Sequence, residues 1–273
     1  MPDFTCATIT ITHAIAEVAL TPTGKAHRMG PDYWSQLPAL FAQLDEDPAV
    51  RAIIVRGTGE HFTYGLDLAS MGAELGELLQ PDGGAKARQK LFAAIKRLQD
   101  AHDAVARCRK PVIAAVSGWC IGGGVDLITA CDIRLASADA KFSVREVKLA
   151  MVADVGTLAR LPQIVGQGHA RELAFTGDDF SAQRAERIGL LNEVFATPAQ
   201  LLEGARALAT RIAKNSPLVV GGIKHVLNAQ SEKQAAESLA TVALYNAAFL
   251  PSKDLLEAIG AFMEKREPQF TGE

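Results

Sequence analysis

The chain has 273 residues, of which 48% are hydrophobic and 22% are charged, a composition typical of a globular protein with one large core. Its 28 basic and 31 acidic residues give a net charge of -3, which provides no general attraction for a phosphate polymer, so no nucleic-acid partner is expected. The longest apolar runs, PVIAAV and AIIV, are too short to cross a bilayer, so no membrane partner is expected either.

The cysteines and the first residues of the chain bear on its location. The four cysteines form no CxxC pair, which favours reduced, buried thiols: Cys6, Cys108, Cys120 and Cys131. The amino-terminal residues show no basic segment followed by a hydrophobic one, so export is not expected. Together these observations predict a cytoplasmic protein.

Short β-type runs alternate with helical stretches over the first two thirds of the chain. Five runs predict strands, namely ATITIT from Ala7, AEVAL from Ala16, RAIIV from Arg51, PVIAAV from Pro111 and DIRLAS from Asp132. Helices are predicted over about 32–44 and about 85–106, the second with apolar residues on a rough helical period. This order indicates an α/β fold.

The sequence beyond Pro198 is almost wholly helical, with predicted breaks at 215–217, near Gln230 and at Pro251. These alanine-rich helices are apolar on more than one side, which fits burial against another subunit or packing within the chain. We therefore predict a core over residues 1–197 and a helical oligomerisation region over 198–273. Because the helices carry more apolar surface than one subunit can cover, we expect a trimer or a dimer of trimers.

Three consecutive glycines stand between a predicted strand and a predicted helix in PVIAAVSGWCIGGGVDLITACDI. Glycine lets the backbone approach a ligand, and a helix start presents unpaired N–H groups, so Gly122, Gly123 and Gly124 can hold an anion or a developing oxyanion. The spacing is not GxGxxG, and the P-loop lysine is missing, so neither nucleotide motif is indicated. Tight packing of the strand against the helix is the alternative.

A second glycine turn follows a strand in RAIIVRGTGEHFTYGLDL. Here Gly65 and Leu66 can supply a second backbone donor that faces the first. Two N–H groups would then converge on one carbonyl oxygen.

The segments FTYGLDL and GWCIGGGVDLITACDIRLAS together resemble the oxyanion-hole segments of the crotonase, or enoyl-CoA hydratase/isomerase, superfamily. The resemblance extends from the strands at Ala7 to FMEKREPQF at 262–270. It implies a crotonase (ClpP-like) fold, an α/β spiral of ββα units with a C-terminal helical trimerisation region. It also implies that the amides of Leu66 and Gly123 hold the thioester oxygen of an acyl-CoA.

Three acids extend the resemblance to one branch of this superfamily. Its hydratases have glutamates where this chain has Asp126 and Glu146, and usually a glycine where this chain has Asp154. The dienoyl-CoA isomerase branch is similar at all three acids, through GGGVD, EV and ADVGTL. The resemblance therefore implies that the chain isomerises 3,5-dienoyl-CoA to 2,4-dienoyl-CoA in fatty-acid β-oxidation.

The isomerisation needs proton transfer at two carbons that lie far apart, since a proton leaves C2 and another arrives at C6. We expect Glu146 to be the base at C2 and Asp154 the acid at C6, with Asp126 tuning their protonation. Each acid also has an ordinary interpretation. Asp126 can complement a helix dipole, Glu146 can form a solvated pair with Lys148, and Asp154 can be the N-cap of a short helix ending at Pro162.

The resemblance is weaker in the CoA-binding region, where TPTGKAHRM replaces the Asn-Arg-Pro signature of many relatives. Its register still implies that Lys25 and Ala26 lie near the pantetheine and phosphates, although an exposed loop lysine is the alternative for Lys25. Near the carboxyl end, Lys265 and Arg266 resemble basic residues that approach a CoA phosphate, often from a neighbouring subunit, and a solvated helix face explains them equally well. The remaining residues expected around the thioester flank the two glycine turns, namely Gly65, Asp67 and Gly122.

No metal or cofactor is expected, because CoA enters as part of the substrate and the six histidines lack the spacing of a zinc helix. Two other functions stay open. The first is an enoyl-CoA hydratase acting on 2-enoyl-CoA, against which Asp126 and Asp154 count. The second is a non-catalytic RNA-binding homologue, which the retained acids and the net charge of -3 disfavour.

Overall fold

The structure is a computed structural model that describes residues 4–273, apart from the side chains of residues 73 and 74. Its strands are β1 (Ala7–Thr12), β2 (Ile15–Leu20), β3 (Ala26–Met29), β4 (Ala52–Gly57), β5 (His61–Leu66), β6 (Val112–Val116), β7 (Trp119–Ile121), β8 (Ile133–Ser137), β9 (Lys141–Ser143), β10 (Phe180–Ser181) and β11 (Glu193–Phe195). Its helices are α1 (Pro31–Glu46), α2 (Leu68–Leu75), α3 (Gly84–Arg107), α4 (Gly123–Ala130), α5 (Thr157–Thr176), α6 (Ala182–Arg187), α7 (Pro198–Ala213), α8 (Pro217–Phe249) and α9 (Lys253–Glu264), with a short 3-10 helix over Glu146–Leu149.

The strands form two sheets. One has the order β1-β2-β4-β6-β8-β11 and the other the order β10-β9-β7-β5-β3. All neighbouring strands pair in parallel except β1 with β2 and β10 with β9. The chain enters the first sheet at β2, β4, β6 and β8 and crosses each time to the second sheet at β3, β5, β7 and β9, before a helix follows. This repetition confirms the predicted α/β spiral of ββα units.

The inner strands β2, β4, β6 and β8 of the six-stranded sheet are largely buried on both faces, which explains their mainly apolar sequences, whereas the edge strands β1 and β11 are partly exposed. One face belongs to the main core, which includes Val55 on β4 and Val116 on β6. The other face is covered by α7, where Leu201 and Ala205 pack in one cluster with Ile54 of β4. The parallel sheet therefore lies inside the protein. The turns that follow the strands of the second sheet lie on one side of it.

Beyond Thr197 the chain consists mainly of the three helices α7, α8 and α9. The predicted breaks at 215–217 and at Pro251 fall between these helices, but the predicted break near Gln230 is wrong, because α8 is continuous over Pro217–Phe249. The local sequence is polar but contains neither glycine nor proline, and the Ser231 hydroxyl donates within the helix to Leu227 O at 3.3 Å. The oligomerisation role of the C-terminal helices stays a prediction.

The described residues show two further features relevant to the sequence analysis. The four cysteines are free and buried. Over the same residues, every helix is too short or too polar to pass through a bilayer.

Candidate active site

Two backbone turns meet where β5 ends and α4 begins. Gly65 has a φ of +74°, and a Cβ at this position would lie 2.6 Å from Ile121 O and 3.1 Å from Gly123 N. A Cβ on Gly123 would in turn lie 3.8 Å from Leu66 N. A side chain on Gly65 would therefore clash with the backbone of Ile121, and one on Gly123 would meet Met29 Sδ at 2.7 Å, so glycine at both positions lets the amides of Leu66 and Gly123 lie close together.

The second of these amides lies at a helix start. Gly123 is the first residue of α4, so its N–H has no acceptor within the helix. The preceding Gly122 donates its own N–H to Ser143 O at 2.9 Å, which ties the turn to the end of β9. The partial positive charge of the helix start adds to the pair of amides and favours a negative oxygen there.

The three predicted acids come from three different elements. Asp126 is fully buried in the first turn of α4, and its Oδ1 accepts the backbone N–H of Thr157. Glu146 begins the 3-10 helix, with Oε1 3.3 Å from the position that a Cβ on Gly122 would take. Asp154 precedes α5, and its Oδ2 accepts a hydrogen bond of 2.7 Å from Asn246 Nδ2.

These acids share one small inner chamber of about 80 Å³. Leu66 and Gly123, whose backbone amides come together at the two glycine turns, line the same chamber. The rest of the chamber wall is mostly apolar, with Asn246 as its amide side chain. The remaining lining residues are Trp34, Leu98, Met151, Val152, Val155 and Leu250. The structure thus brings together the five residues for which the sequence analysis predicted oxyanion binding and acid–base chemistry.

Burial raises the pKa of all three acids. The pKa of Asp126 rises to about 6, although the Thr157 N–H and the Arg160 guanidinium favour its ionised form. The pKa of Asp154 rises to about 7, opposed by the hydrogen bond from Asn246. The pKa of Glu146 lies well above its ordinary value, first because of burial and then because of the neighbouring Asp126 charge.

Two carboxyl oxygens in the chamber have no hydrogen-bond partner among the described residues. They are Asp126 Oδ2 and Glu146 Oε2, and both are buried. An ionised carboxylate with an unpaired buried oxygen is costly, so this pair favours the uptake of a proton. Buried carboxyl groups with raised pKa values are typical of acid–base catalysis.

The ordinary interpretations of the three acids do not match this geometry. The N-cap of α5 is Gly156 rather than Asp154, and α5 continues beyond Pro162. Lys148 pairs with Asp178 at 3.4 Å, whereas Glu146 turns its carboxyl group inward. Asp126 does lie in the first turn of its own helix, but its carboxyl group reaches the start of α5 instead.

An outer cleft of about 670 Å³ leads to the chamber and shares with it Leu66, Gly123 and Glu146. Of the other residues expected at the thioester, Gly122 and Asp67 also line this cleft. Asp67 is the N-cap of α2 and accepts the N–H of Ala69 at 3.3 Å. The cleft has a basic lining of Arg28, Arg145, Lys148 and Arg266.

Four residues predicted to bind CoA or the thioester are not among those lining the cleft, namely Lys25, Ala26, Gly65 and Lys265. Lys25 is exposed and pairs with Glu60 at 3.1 Å, while Ala26 is fully buried at the start of β3. Lys265 ends α9, and its neighbour Arg266 faces the cleft instead. The register of the resemblance does not specify which way each side chain points, so it could not distinguish these neighbours.

The sequence analysis missed Arg28 and Asn246. Arg28 is the exposed residue of β3, whose other residues are buried, and this contrast in KAHRM was a usable signal. Asn246 is a lone polar residue in the apolar segment ALYNAAF, where a buried amide needs partners. Over the described residues no cluster of three or more His, Cys, Asp or Glu side chains could hold a metal ion.

Comparison with known proteins agrees with this site. A family model described as enoyl-CoA hydratase/isomerase matches residues 10–273. A mitochondrial Delta(3,5)-Delta(2,4)-dienoyl-CoA isomerase from Dictyostelium discoideum is 45% identical over 259 residues, which cover 94% of this chain and 87% of that protein. A peroxisomal protein of the same activity from Arabidopsis thaliana is 46% identical over 239 residues, covering 88% of this chain and 86% of that protein.

Solved structures share the fold. The crystal structure of an enoyl-CoA hydratase/isomerase from Pseudoalteromonas atlantica is 22% identical and superposes with a TM-score of 0.84. The match covers 97% of this chain and 100% of that one, so the two share the whole architecture.

The names of the relatives contradict one prediction. A cytoplasmic location is wrong, since the similar isomerases are mitochondrial or peroxisomal proteins. That prediction came from composition, reduced cysteines and the lack of an export signal, and these features do not distinguish one reducing compartment from another.

Proposed function

The chain belongs to the enoyl-CoA hydratase/isomerase family, and we propose that it isomerises 3,5-dienoyl-CoA to 2,4-dienoyl-CoA in fatty-acid β-oxidation. The observation that carries the proposal is the inner chamber, in which three acids with raised pKa values surround a pair of converging amides. An isomerase that removes a proton at one carbon and adds one four carbons away needs acid–base groups at both ends.

The reaction begins at the thioester. Its carbonyl oxygen accepts hydrogen bonds from the amides of Leu66 and Gly123 and becomes negatively charged as the C2 proton leaves. Preorganised donors of this kind contribute about 3–4 kcal/mol each to the stability of such a transition state. The start of α4 adds its partial positive charge at the same place.

Glu146 then takes the C2 proton. The electron pair of the C2–H bond forms a C1=C2 bond while the thioester C=O pair moves onto the oxygen, which gives a dienolate. The oxygen pair then restores the C=O bond, the C1=C2 pair moves to C2=C3, the C3=C4 pair moves to C4=C5, and the C5=C6 pair takes a proton from Asp154 at C6. The two double bonds end in conjugation with the thioester. Asp126, whose unpartnered Oδ2 lies in the same chamber as the unpartnered Oε2 of Glu146, disfavours the ionisation of both carboxyl groups at once.

The outer cleft is the proposed site of the CoA moiety. Arg28 and Arg266 line it and can pair with phosphate oxygens, and Arg is well suited to such contacts. Arg145, Lys148 and Arg266 each already pair with an acid, and Arg266 pairs with two, Glu257 at 2.5 Å and Glu264 at 2.6 Å, so a phosphate would share or replace these partners. The exposed Lys25 and Lys265 remain proposals for phosphate contacts outside the cleft.

The proposed reaction needs neither metal nor redox cofactor, because it moves two protons and changes no oxidation state. We therefore propose that CoA is bound only as part of the substrate. Turnover should be unchanged after incubation with a chelator, and a loss that added metal restores would contradict this proposal.

We also propose that the protein assembles as a trimer or a dimer of trimers. Support comes from large apolar side chains exposed on α8 and α9, since contiguous apolar surface of this kind marks an association site. They are Leu218, Val219, Ile223, Val226, Leu227, Leu244, Tyr245, Phe249, Leu256, Ile259, Phe262 and Met263. Sedimentation at micromolar concentration tests the assembly, and a monomer would contradict it.

The function is tested by offering 3,5-dienoyl-CoA and 2-enoyl-CoA to the same protein sample. We expect formation of the conjugated 2,4-dienoyl thioester from the first, followed by its absorbance, and far slower hydration of the second. Rapid hydration without isomerisation would identify a hydratase instead. Absence of turnover with either substrate, together with retention of RNA, would favour a non-catalytic homologue.

A further inference from the structure

Asn246 is a buried amide that reaches from α8 into the inner chamber. It is 2% exposed and lines the chamber beside Asp154. Its Nδ2 donates one hydrogen bond to Asp154 Oδ2 at 2.7 Å and another to Val152 O at 2.8 Å. Both hydrogens of the amide are therefore committed to the segment that carries Asp154.

Other residues hold the main chain of this segment. Gln99 on α3 donates to Asp154 O at 2.7 Å, and His102 Nδ1 lies 3.2 Å from Val155 O. Among the described side chains, only Asn246 donates a hydrogen bond to the Asp154 carboxyl group, and the backbone N–H of Asp154 itself adds a smaller effect. The position of the backbone and the orientation of the carboxyl group thus depend on different residues.

We propose that Asn246 is the positioning residue of the acid, because its hydrogen bond to Oδ2 leaves Oδ1 of Asp154 as the oxygen that carries the proton to C6. The inference rests on the proposed isomerase function. Nδ2 of Asn246 can only donate, so a proton on Oδ2 would place two hydrogens against each other. The neutral acid must therefore carry its proton on Oδ1, in one fixed orientation.

The same hydrogen bond acts on the charge of Asp154. A donor to a carboxylate favours the ionised form, whereas burial in the chamber favours the neutral form. The titratable groups around this carboxyl are Asp126 on α4, Glu146 on the 3-10 helix, His102 on α3 and Arg160 on α5.

These neighbours do not take over the role of Asn246. The charge of Asp126 raises the pKa of Asp154, and Glu146 carries the same sign. Burial lowers the pKa of His102 to about 4, so His102 is neutral, and Arg160 is paired with Asp103 at 2.7 Å. Loss of the Asn246 donor should therefore raise the pKa of Asp154.

Asn246→Leu removes the donor at nearly constant volume. We expect kcat to fall by about 10- to 100-fold, since an acid free to rotate spends less time in the productive orientation. KM should change little, because Asn246 lies outside the CoA cleft. The alkaline limb of the rate, set by loss of the Asp154 proton, should move upward by about one pH unit. Asn246→Ala leaves room for a water molecule and serves if the leucine variant does not fold.

Asn228→Leu is a matched control on the same helix. Asn228 also donates across to a backbone carbonyl, Ala106 O at 3.1 Å, but it touches no carboxylate. If Asn246 acts only as a tether for α8, both variants should lose stability and neither should move the pH profile. That outcome would overturn the proposal.

A double-mutant comparison separates action through Asp154 from a general loss of packing. In an Asp154→Asn background, Asn246→Leu should cause no further loss of rate, because the acid that it positions is already absent. An equal further loss in that background would also overturn the proposal.

The titration of Asp154 can be followed without substrate, by the infrared carboxyl stretch in difference spectra against Asp154→Asn. We expect the midpoint to rise in Asn246→Leu and to stay unchanged in Asn228→Leu. If wild-type protein does not isomerise 3,5-dienoyl-CoA but the midpoint still rises, the proposed function fails while the effect of Asn246 on the acid stands. An unchanged midpoint in Asn246→Leu contradicts the inference whatever the activity.

Discussion

Replacing Asp154 with asparagine should stabilise the folded protein above pH 7, although it removes the proposed acid. Burial raises the pKa of Asp154 from its ordinary 3.8 to about 7. The folded protein therefore keeps a proton on this carboxyl group that the unfolded chain releases near pH 4. Between these two pH values the folded state binds more protons than the unfolded chain, so stability falls as the pH rises through this window.

The size of the effect follows from the shift in pKa. A change from 3.8 to about 7 corresponds to roughly 4 kcal/mol of unfolding free energy, lost between pH 4 and pH 8. Asparagine has no proton to release and escapes this loss, while its amide oxygen can still accept the hydrogen bond from Asn246. The variant should match the wild type near pH 4 and exceed it by up to about 4 kcal/mol at pH 8.

Urea unfolding of both proteins at pH 5 and pH 8 measures this difference. Asp178→Asn is a suitable control, because the Asp178 side chain is 71% exposed and pairs with Lys148 at the surface. We expect the control to follow the wild type at both pH values. An identical pH dependence of wild type and Asp154→Asn would refute the reasoning, since the pKa of Asp154 would then lie near its ordinary value.

Two substitutions test the binding of the substrate. Gly65→Ala should lower kcat/KM for 3,5-dienoyl-CoA by about 10²- to 10³-fold, because its Cβ would lie 2.6 Å from Ile121 O and displace the amide of Leu66. Wild-type kinetics in a folded variant would contradict this. Arg28→Ala should raise KM for the CoA thioester by about tenfold and leave KM for the matching pantetheine thioester unchanged, because only CoA carries the nucleotide phosphates. An equal change in KM for both thioesters would contradict a contact between Arg28 and these phosphates.

Five of the six strands of the first sheet were predicted from the sequence, and burial on both faces gives β4 and β6 their continuous apolar runs, whereas the three-residue β11 was missed. The second sheet was missed. Its strands β7 and β9 have three residues each, and β5 runs into a glycine turn, so neither length nor alternation indicates a strand. Their positions depend on the pairing of β5, β7 and β9 with one another, which no local pattern contains.

In the candidate site, too, some features could be predicted from the sequence and others depend on the three-dimensional fold. Asp126, Glu146 and Asp154 were predicted from the resemblance of GGGVD, EV and ADVGTL to the isomerase branch, but their shared chamber is a consequence of the spiral, which brings together α4, the 3-10 helix and the start of α5. Side-chain direction decides which basic residues face the cleft: of the predicted pair Lys265 and Arg266 only Arg266 lines it, and Arg28 lines it in place of the predicted Lys25.

Exchange of the C2 proton with solvent deuterium, measured beside isomerisation, is the most direct test of two acids acting at opposite ends of the diene. In Asp154→Asn, C2 exchange should persist while isomerisation falls by at least about 100-fold, because an amide delivers no proton to C6. In Glu146→Gln, both should be lost. A folded Asp154→Asn protein that isomerises 3,5-dienoyl-CoA at the wild-type rate would contradict the assignment of Asp154 as the acid.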